Sequence, residues 1–92
     1  MSEQQVWRVE FAADAARDLR KLGRDAELQI LRYLRQRIAT SEDPRRFGRA
    51  LTRDLKGLWR YRVGDYRIVA AIEDDRFVVL VVTVGHRREV YD

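Results

Sequence analysis

Cysteine is missing from this 92-residue chain, and histidine occurs once. Without a thiol there is no disulfide, no cysteine nucleophile and no cysteine metal site. A single imidazole excludes a multi-histidine metal cluster. No stretch reaches the roughly 18 consecutive apolar residues that a spanning helix needs, and no N-terminal apolar segment has the form of a signal peptide. No glycine-rich phosphate loop or dinucleotide fingerprint is present. No Ser/His/Asp set stands out either, since the lone His86 has no preferred partner. The expectation is a soluble cytoplasmic protein, one domain over residues 1–92, with no cofactor and no metal. At this length a chain buries about 60–65% of its unfolded surface, enough for one modest core.

What the chain does have is arginine. Seventeen of its 19 cationic residues are Arg, and they are unevenly spread. Residues 1–44 carry 8 basic and 8 acidic side chains, whereas residues 45–92 carry 11 and 7, so the whole net charge of +4 sits in the second half. From Arg45 to Arg62 the cations Arg45, Arg46, Arg49, Arg53, Lys56, Arg60 and Arg62 face Asp54 alone. A one-sided basic zone is the footprint of a nucleic-acid binder or of an acidic protein partner. Scattered arginines such as Arg17 and Arg35 need no such reading.

Periodicity gives the elements. Val6 to Phe11 alternates, with Trp7, Val9 and Phe11 on one side, as a strand does. Ala12 to Leu22 carries its apolar residues on one stripe and is followed by Gly23, a helix with a glycine stop. Arg24 to Thr40 repeats the pattern with Ala26, Ile30, Leu31, Leu34 and Ile38. The short connection makes the two an antiparallel helical hairpin. Arg45 to Leu58 is a basic connector with a helical turn near Phe47 to Leu51. Trp59 to Tyr91 is then a three-stranded antiparallel meander. Gly64-Asp65 suits a type II′ hairpin turn; Asp74-Asp75 is the second turn, and Phe77 to Val84 is an apolar run of the kind that is covered on both faces. The order β-α-α-β-β-β makes a two-layer α+β fold, a helical hairpin packed on a small, mainly antiparallel sheet. The first strand is expected to pair with the last.

The first hairpin fixes a register in which Val63 opposes Tyr66 and Arg62 opposes Arg67. Trp59, Tyr61, Val63, Tyr66 and Ile68 then share the core face, and Arg60, Arg62 and Arg67 share the other. Like charges directly opposed destabilise a sheet. An anion between them relieves this, and guanidinium forks suit phosphate; snorkelling of the side chains into water relieves it too. The residues alone leave both open. A two-residue turn at Asp74-Asp75 sets Tyr66 opposite Thr83, and the chain beyond Gly85 then emerges beside Gly64-Asp65. That is expected to bring Arg87 or Arg88, together with Tyr91, to the end of the sheet that holds Arg62 and Arg67.

Arginines with a Tyr and a His, and no metal, suit attack of an RNA 2′-hydroxyl on its own 3′ phosphodiester. The substrate brings the nucleophile, and the protein has to align the backbone, stabilise charge and move protons. Arg60, Arg62, Arg67, Arg87 and Tyr91 are the candidate catalytic residues, with His86 as a possible proton carrier. Arg45, Arg46, Arg49, Arg53, Lys56 and Arg88 are candidate RNA-binding residues. The alternatives for His86 and Tyr91 are a turn hydrogen-bonder and an aromatic that staples the tail to the sheet.

The segments L-K-G-L-W-R-Y-R-V-G-D-Y-R-I-V-A (Leu55 to Ala70) and V-V-T-V-G-H-R-R-E-V-Y (Val81 to Tyr91) resemble the RelE branch of the RelE/ParE toxin superfamily, and the likeness runs over nearly the whole chain. It implies a microbial ribonuclease-like toxin fold, ribosome-dependent mRNA cleavage in the A site, inhibition of translation, and a cognate antitoxin that wraps the toxin. By position, Arg60 and Arg62 match two basic strand residues of the family. Arg67 matches its phosphate-binding arginine, Arg87 its tail arginine and Tyr91 its near-terminal tyrosine. Well-known members have lysine where this chain has Arg60 and Arg62, and a guanidinium does not act as a base at neutral pH. Proton abstraction then falls to Tyr91, His86 or a ribosomal group. The chain ends at Asp92, short of an additional C-terminal helix found in some members. This leaves Val69, Ala71, Val78, Leu80 and Val82 expected as an open apolar patch for a partner. Two other functions fit the same fold: a ParE-like inhibitor that binds DNA gyrase without nuclease chemistry, and a non-catalytic antitoxin-binding module.

Overall fold

The structure is a computed structural model and describes residues 5–86. In chain order the elements are β1 (Arg8–Phe11), α1 (Ala13–Lys21), α2 (Arg24–Tyr33), β2 (Arg49–Ala50), β3 (Leu58–Val63), β4 (Tyr66–Glu73) and β5 (Val78–His86). A π-helical turn, Leu34–Ile38, continues α2, and 3₁₀ turns cover Pro44–Phe47 and Arg53–Leu55. Among the described residues the sheet has five strands in the order β1-β5-β4-β3-β2. β1 runs parallel to β5, and the other pairs are antiparallel. This is the expected α+β sandwich, with one strand more than the sequence suggested: the connector holds β2, two residues long, where a helical turn was expected.

Alternation on the strands and the helical stripe meet in one core. Ala15 and Leu19 of α1, with Ile30, Leu34 and Ile38 of α2 and its π turn, pack on Tyr61, Ile68, Ala70, Val79 and Val81 of the sheet. Trp59, Val63 and Tyr66 join them, so the core face of the first hairpin is as read from its turn. Gly64 has φ +58° and Asp65 does not share the left-handed conformation, which is the pattern of a II′ turn. Val63 opposes Tyr66, Tyr61 opposes Ile68 and Arg62 opposes Arg67, as the turn requires.

The second hairpin departs from expectation. Its turn has four residues, Asp74 to Phe77, closed by bonds from the N–H of Arg76 to Glu73 and from that of Phe77 to Asp74. Phe77 therefore leaves the strand. It adopts φ +53°, and its ring rests 5.1 Å from that of Trp7. Further along, Val69 opposes Thr83 while Ala70 opposes Val81, so Val82 is a bulge residue. Longer turn and bulge together put Tyr66 opposite His86, not Thr83, and Arg67 opposite Gly85. The bulge also switches which parity faces the core: Val79 and Val81 before it, Val84 after it.

The apolar patch expected on the outer face is largely covered. Val69 is buried with Leu51, and Leu55, Leu58 and Val82 pack on the pair. Val78 is fully buried as well. Leu51 and Leu55, from the segment after β2, belong to the cluster that covers Val69 and Val82.

Candidate functional site: an arginine face on three strands

The outer face of β2, β3 and β4 collects arginines by register. Arg49 opposes Arg60, and Arg62 opposes Arg67. Opposed residues share a face, and so do residues two apart on one strand, so all four lie on the side away from the helices. Arg49, Arg60 and Arg62 line one hollow of about 310 Å³ with Phe47 and Gly48. Arg60 is 9% exposed, whereas Arg62 stands in solvent. Among the described residues, none that lines the hollow is acidic. Positive charge concentrated in a partly enclosed basin attracts an anion more strongly than the same charge spread on an open surface.

The wall of the hollow is held by the connector. Asp43 caps the Pro44–Phe47 turn by accepting from the N–H of Arg45 at 3.0 Å, and Pro44 sits at the start of the turn, where its missing N–H costs nothing. The Tyr61 hydroxyl, fully buried, donates to the Pro44 carbonyl at 2.9 Å. Burial pushes that phenol far up from its ordinary value, which keeps it a hydrogen-bond donor to the Pro44 carbonyl. A Cβ at position 48 would meet Tyr61 Cε1 at 3.1 Å, so glycine lets the connector lie flat on the ring.

Arg45 and Arg46, expected to bind RNA, are occupied in this scaffold. Arg45 makes a two-pronged contact with Asp74, at 3.1 and 2.6 Å, reaches Asp43 at 3.3 Å, and lies over the Trp59 ring. The bond from Arg45 holds the Asp74 carboxyl below its usual value. Arg46 donates to the carbonyls of Asp43 and Arg37, pairs with Glu42 at 3.6 Å, and places its guanidinium 4.5 Å from the Phe47 ring centre. Both arginines build the wall.

Arg53 and Lys56 are exposed on the covering segment and do not line the hollow. His86, named from sequence as a possible proton carrier, is placed apart from the hollow. Opposite Tyr66, it lies on the helix face, edge-on to that ring at 5.9 Å and 81°, on the side of the sheet away from the arginines. The register expected to bring the chain beyond Gly85 beside Arg62 and Arg67 assumed a two-residue turn, and the four-residue turn with the bulge sets Gly85 opposite Arg67 instead. Arg87, Arg88 and Tyr91 lie outside the described residues. Sequence reasoning missed Phe47 as part of the hollow, although its place in R-R-F-G-R, among cations and off any apolar stripe, was the available signal.

The chain matches the family model described as the ParE toxin of type II toxin-antitoxin system, parDE, over residues 9–91. It belongs to that toxin family. Two curated relatives place it on the RelE branch. Toxin RelE of Mycobacterium tuberculosis is 33% identical over 91 residues, 99% of this chain and 92% of the relative. Toxin RelG of the same organism is 32% identical over 83 residues, 90% of this chain and 93% of the relative. A solved structure, that of the toxin-antitoxin complex RelBE2 from M. tuberculosis, superposes with a TM-score of 0.82 at 30% identity, covering 90% of this chain and 100% of that chain. In this RelE-branch toxin the arginine face is therefore the outer face of a sheet that its relatives share. Among the described residues no helix is long and apolar enough to cross a membrane, and no group of three or more potential metal ligands occurs.

Proposed function

We propose that this toxin is a metal-independent endoribonuclease that cuts mRNA in the ribosomal A site and so stops translation in the cytoplasm. The observation that carries the reading is the gathering of Arg49, Arg60, Arg62 and Arg67 on one face of adjacent strands, three of them around a single hollow without a lining carboxylate.

The chemistry follows from what guanidinium groups do. The 2′-oxygen of the RNA attacks the adjacent phosphorus. A 2′-O–P bond forms, the P–O5′ bond breaks, and the products are a 2′,3′-cyclic phosphate and a free 5′-hydroxyl. Arg62 and Arg67 hold the non-bridging oxygens and balance the charge that builds on them. Arg60, almost enclosed, fixes the phosphate from within the hollow, and Arg87 adds charge from the tail. The 2′-hydroxyl must lose a proton and the 5′-oxygen must gain one. Arginine does neither at neutral pH, and His86 is on the wrong face. Tyr91 or a ribosomal group therefore carries the protons, which makes the ribosome part of the active site and explains a requirement for it. A cognate antitoxin that covers the arginine face is part of this reading, and the basic second half of the chain gives it an electrostatic handle.

The test is cleavage of a defined mRNA by the purified toxin with and without programmed ribosomes, mapped to the nucleotide. Cuts within codons, only when ribosomes are present, and lost on Tyr91→Phe or Arg67→Ala, are expected. Growth arrest with DNA damage and intact mRNA would instead mean inhibition of DNA gyrase on the same fold.

A further inference from the structure

Phe47 is a large aromatic residue that contributes to neither apolar cluster. It is 40% exposed and faces the hollow beside Arg49, Arg60 and Arg62. Exposure of this kind usually goes with a loose loop, but this ring is held. Its turn is anchored by buried Pro44 at one end and by Gly48 on Tyr61 at the other. Two guanidinium groups approach the ring itself, Arg46 at 4.5 Å and Arg37 at 5.4 Å from its centre. Arg37 comes from the π turn at the end of α2; such turns displace side chains from the ordinary helical stripe. Arg37 also helps to line a second hollow of about 380 Å³, shared with Gln29, Arg32, Gln36 and Arg62. Arg62 thus stands between two basic hollows, with Phe47 at the edge of one and its stacked Arg37 at the edge of the other.

We propose that Phe47 is a stacking platform for a nucleobase next to the phosphate held by Arg60 and Arg62, and that it helps to set which sequence the toxin cuts. A fixed apolar ring beside a phosphate site is what a base splayed out of a single strand requires. The guanidinium groups on the ring offer planar, cationic surface that extends the stack. Nucleotides follow one another along the strand, so a phosphate in the first hollow puts the neighbouring base within reach of its aromatic edge. The second hollow, with the carboxamides of Gln29 and Gln36 and no acid among its lining residues, takes the strand onward. Core packing does not account for a ring this exposed.

This inference rests on the proposed ribonuclease reading, and two measurements separate them. The first is ribosome-dependent cleavage by wild type, Phe47→Leu and Phe47→Trp. Leucine keeps an apolar side chain and removes the π-face; tryptophan enlarges it. Phe47→Leu should raise the concentration for half-maximal cleavage about 5- to 100-fold, more than it lowers the maximal rate. It should also flatten the preference for one base at the cut site, and Phe47→Trp should retain both. The second is binding of a mixed-sequence 2′-O-methyl RNA hexamer, which cannot be cleaved, by fluorescence anisotropy. Binding that Phe47→Leu weakens, in a protein that cuts no mRNA, would keep the platform and remove the nuclease. Equal affinity and equal cut sites in wild type and Phe47→Leu would overturn the platform and leave the nuclease. A change confined to antitoxin affinity would make Phe47 a protein contact and overturn the platform as well. Phe47→Leu should melt with wild type, since the ring is outside the core.

Discussion

A guanidinium group can grip and polarise a phosphate but cannot take a proton from a hydroxyl at neutral pH, so each arginine of the hollow should act on charge alone. Arg62 gives the clean case because it is exposed and its loss opens no cavity. Arg62→Ala should lower ribosome-dependent cleavage about 100-fold, the usual loss for one preorganised donor, with an unchanged melting temperature. Arg62→Lys should recover only part, since an ammonium brings charge without the two-pronged fork. His86 should behave in the opposite way. It packs on the Tyr66 ring on the helix face, and such a contact contributes about 0.5–1.5 kcal/mol. His86→Ala should therefore lower thermal stability and leave cleavage within a few-fold of wild type. A loss of cleavage as large as that of Arg62→Ala would return His86 to the reaction and refute the register argument.

The connector from Asp43 to Ala50 is the element that turns a flat sheet face into a walled hollow, and two side chains pin it. Tyr61→Phe removes the bond to the Pro44 carbonyl, a buried pair whose loss costs about 1–2 kcal/mol. It should also raise the concentration of ribosomes needed for half-maximal cleavage, because the wall bearing Phe47 is less fixed. The second pin is pH-dependent. Arg45 lowers the Asp74 pKa in the folded state, so the contact contributes fully above the unfolded carboxylate value near about 4. The contribution is lost as pH falls through the lower, folded value. Asp74→Asn should flatten the acid side of the stability profile below about pH 4 and change little at pH 7, and the effect is small because the pair is in water. Melting curves over that range check it.

The contrast between the two hairpins says what was legible. Gly64-Asp65 announces its turn because only that pairing needs a glycine with positive φ, and it correctly aligned Arg62 with Arg67. The second turn gives no such sign. Phe77 takes a left-handed conformation that its residue type does not favour, held by contact with Trp7, a residue some 70 positions away. Val82 sits in a run of valines where any one of several could bulge. β2 is two residues long and owes its existence to pairing with β3, so no local pattern encodes it. The three arginines of the first hairpin could be placed together from sequence. Arg49, Phe47 and the side of the sheet on which His86 lies could not.

At the scale of the whole molecule, positive charge is in excess on both layers: residues 13–38, which form the helical layer, hold 7 basic and 4 acidic side chains. The first 44 residues balance only because Glu3, Glu10, Glu42 and Asp43 flank that stretch, whereas the connector and hairpins carry their excess on four arginines of one sheet face. The gathered arginines of β2, β3 and β4 make that face a local positive field, and the proposed interaction with RNA should be read by salt. Each phosphate neutralised on a single strand contributes about −0.7 to the slope of log affinity against log salt. Engagement of Arg49, Arg60, Arg62 and Arg67 together predicts a slope of roughly −3 for a short single-stranded RNA, and Arg62→Ala should bring it to roughly −2. Arg17→Ala, on α1 across the sheet and paired with Asp14 at 2.9 Å, should leave the slope where it is. A slope that responds to Arg17 and not to Arg62 would put the RNA on the helical layer, and the arginine face would then be left for the antitoxin alone.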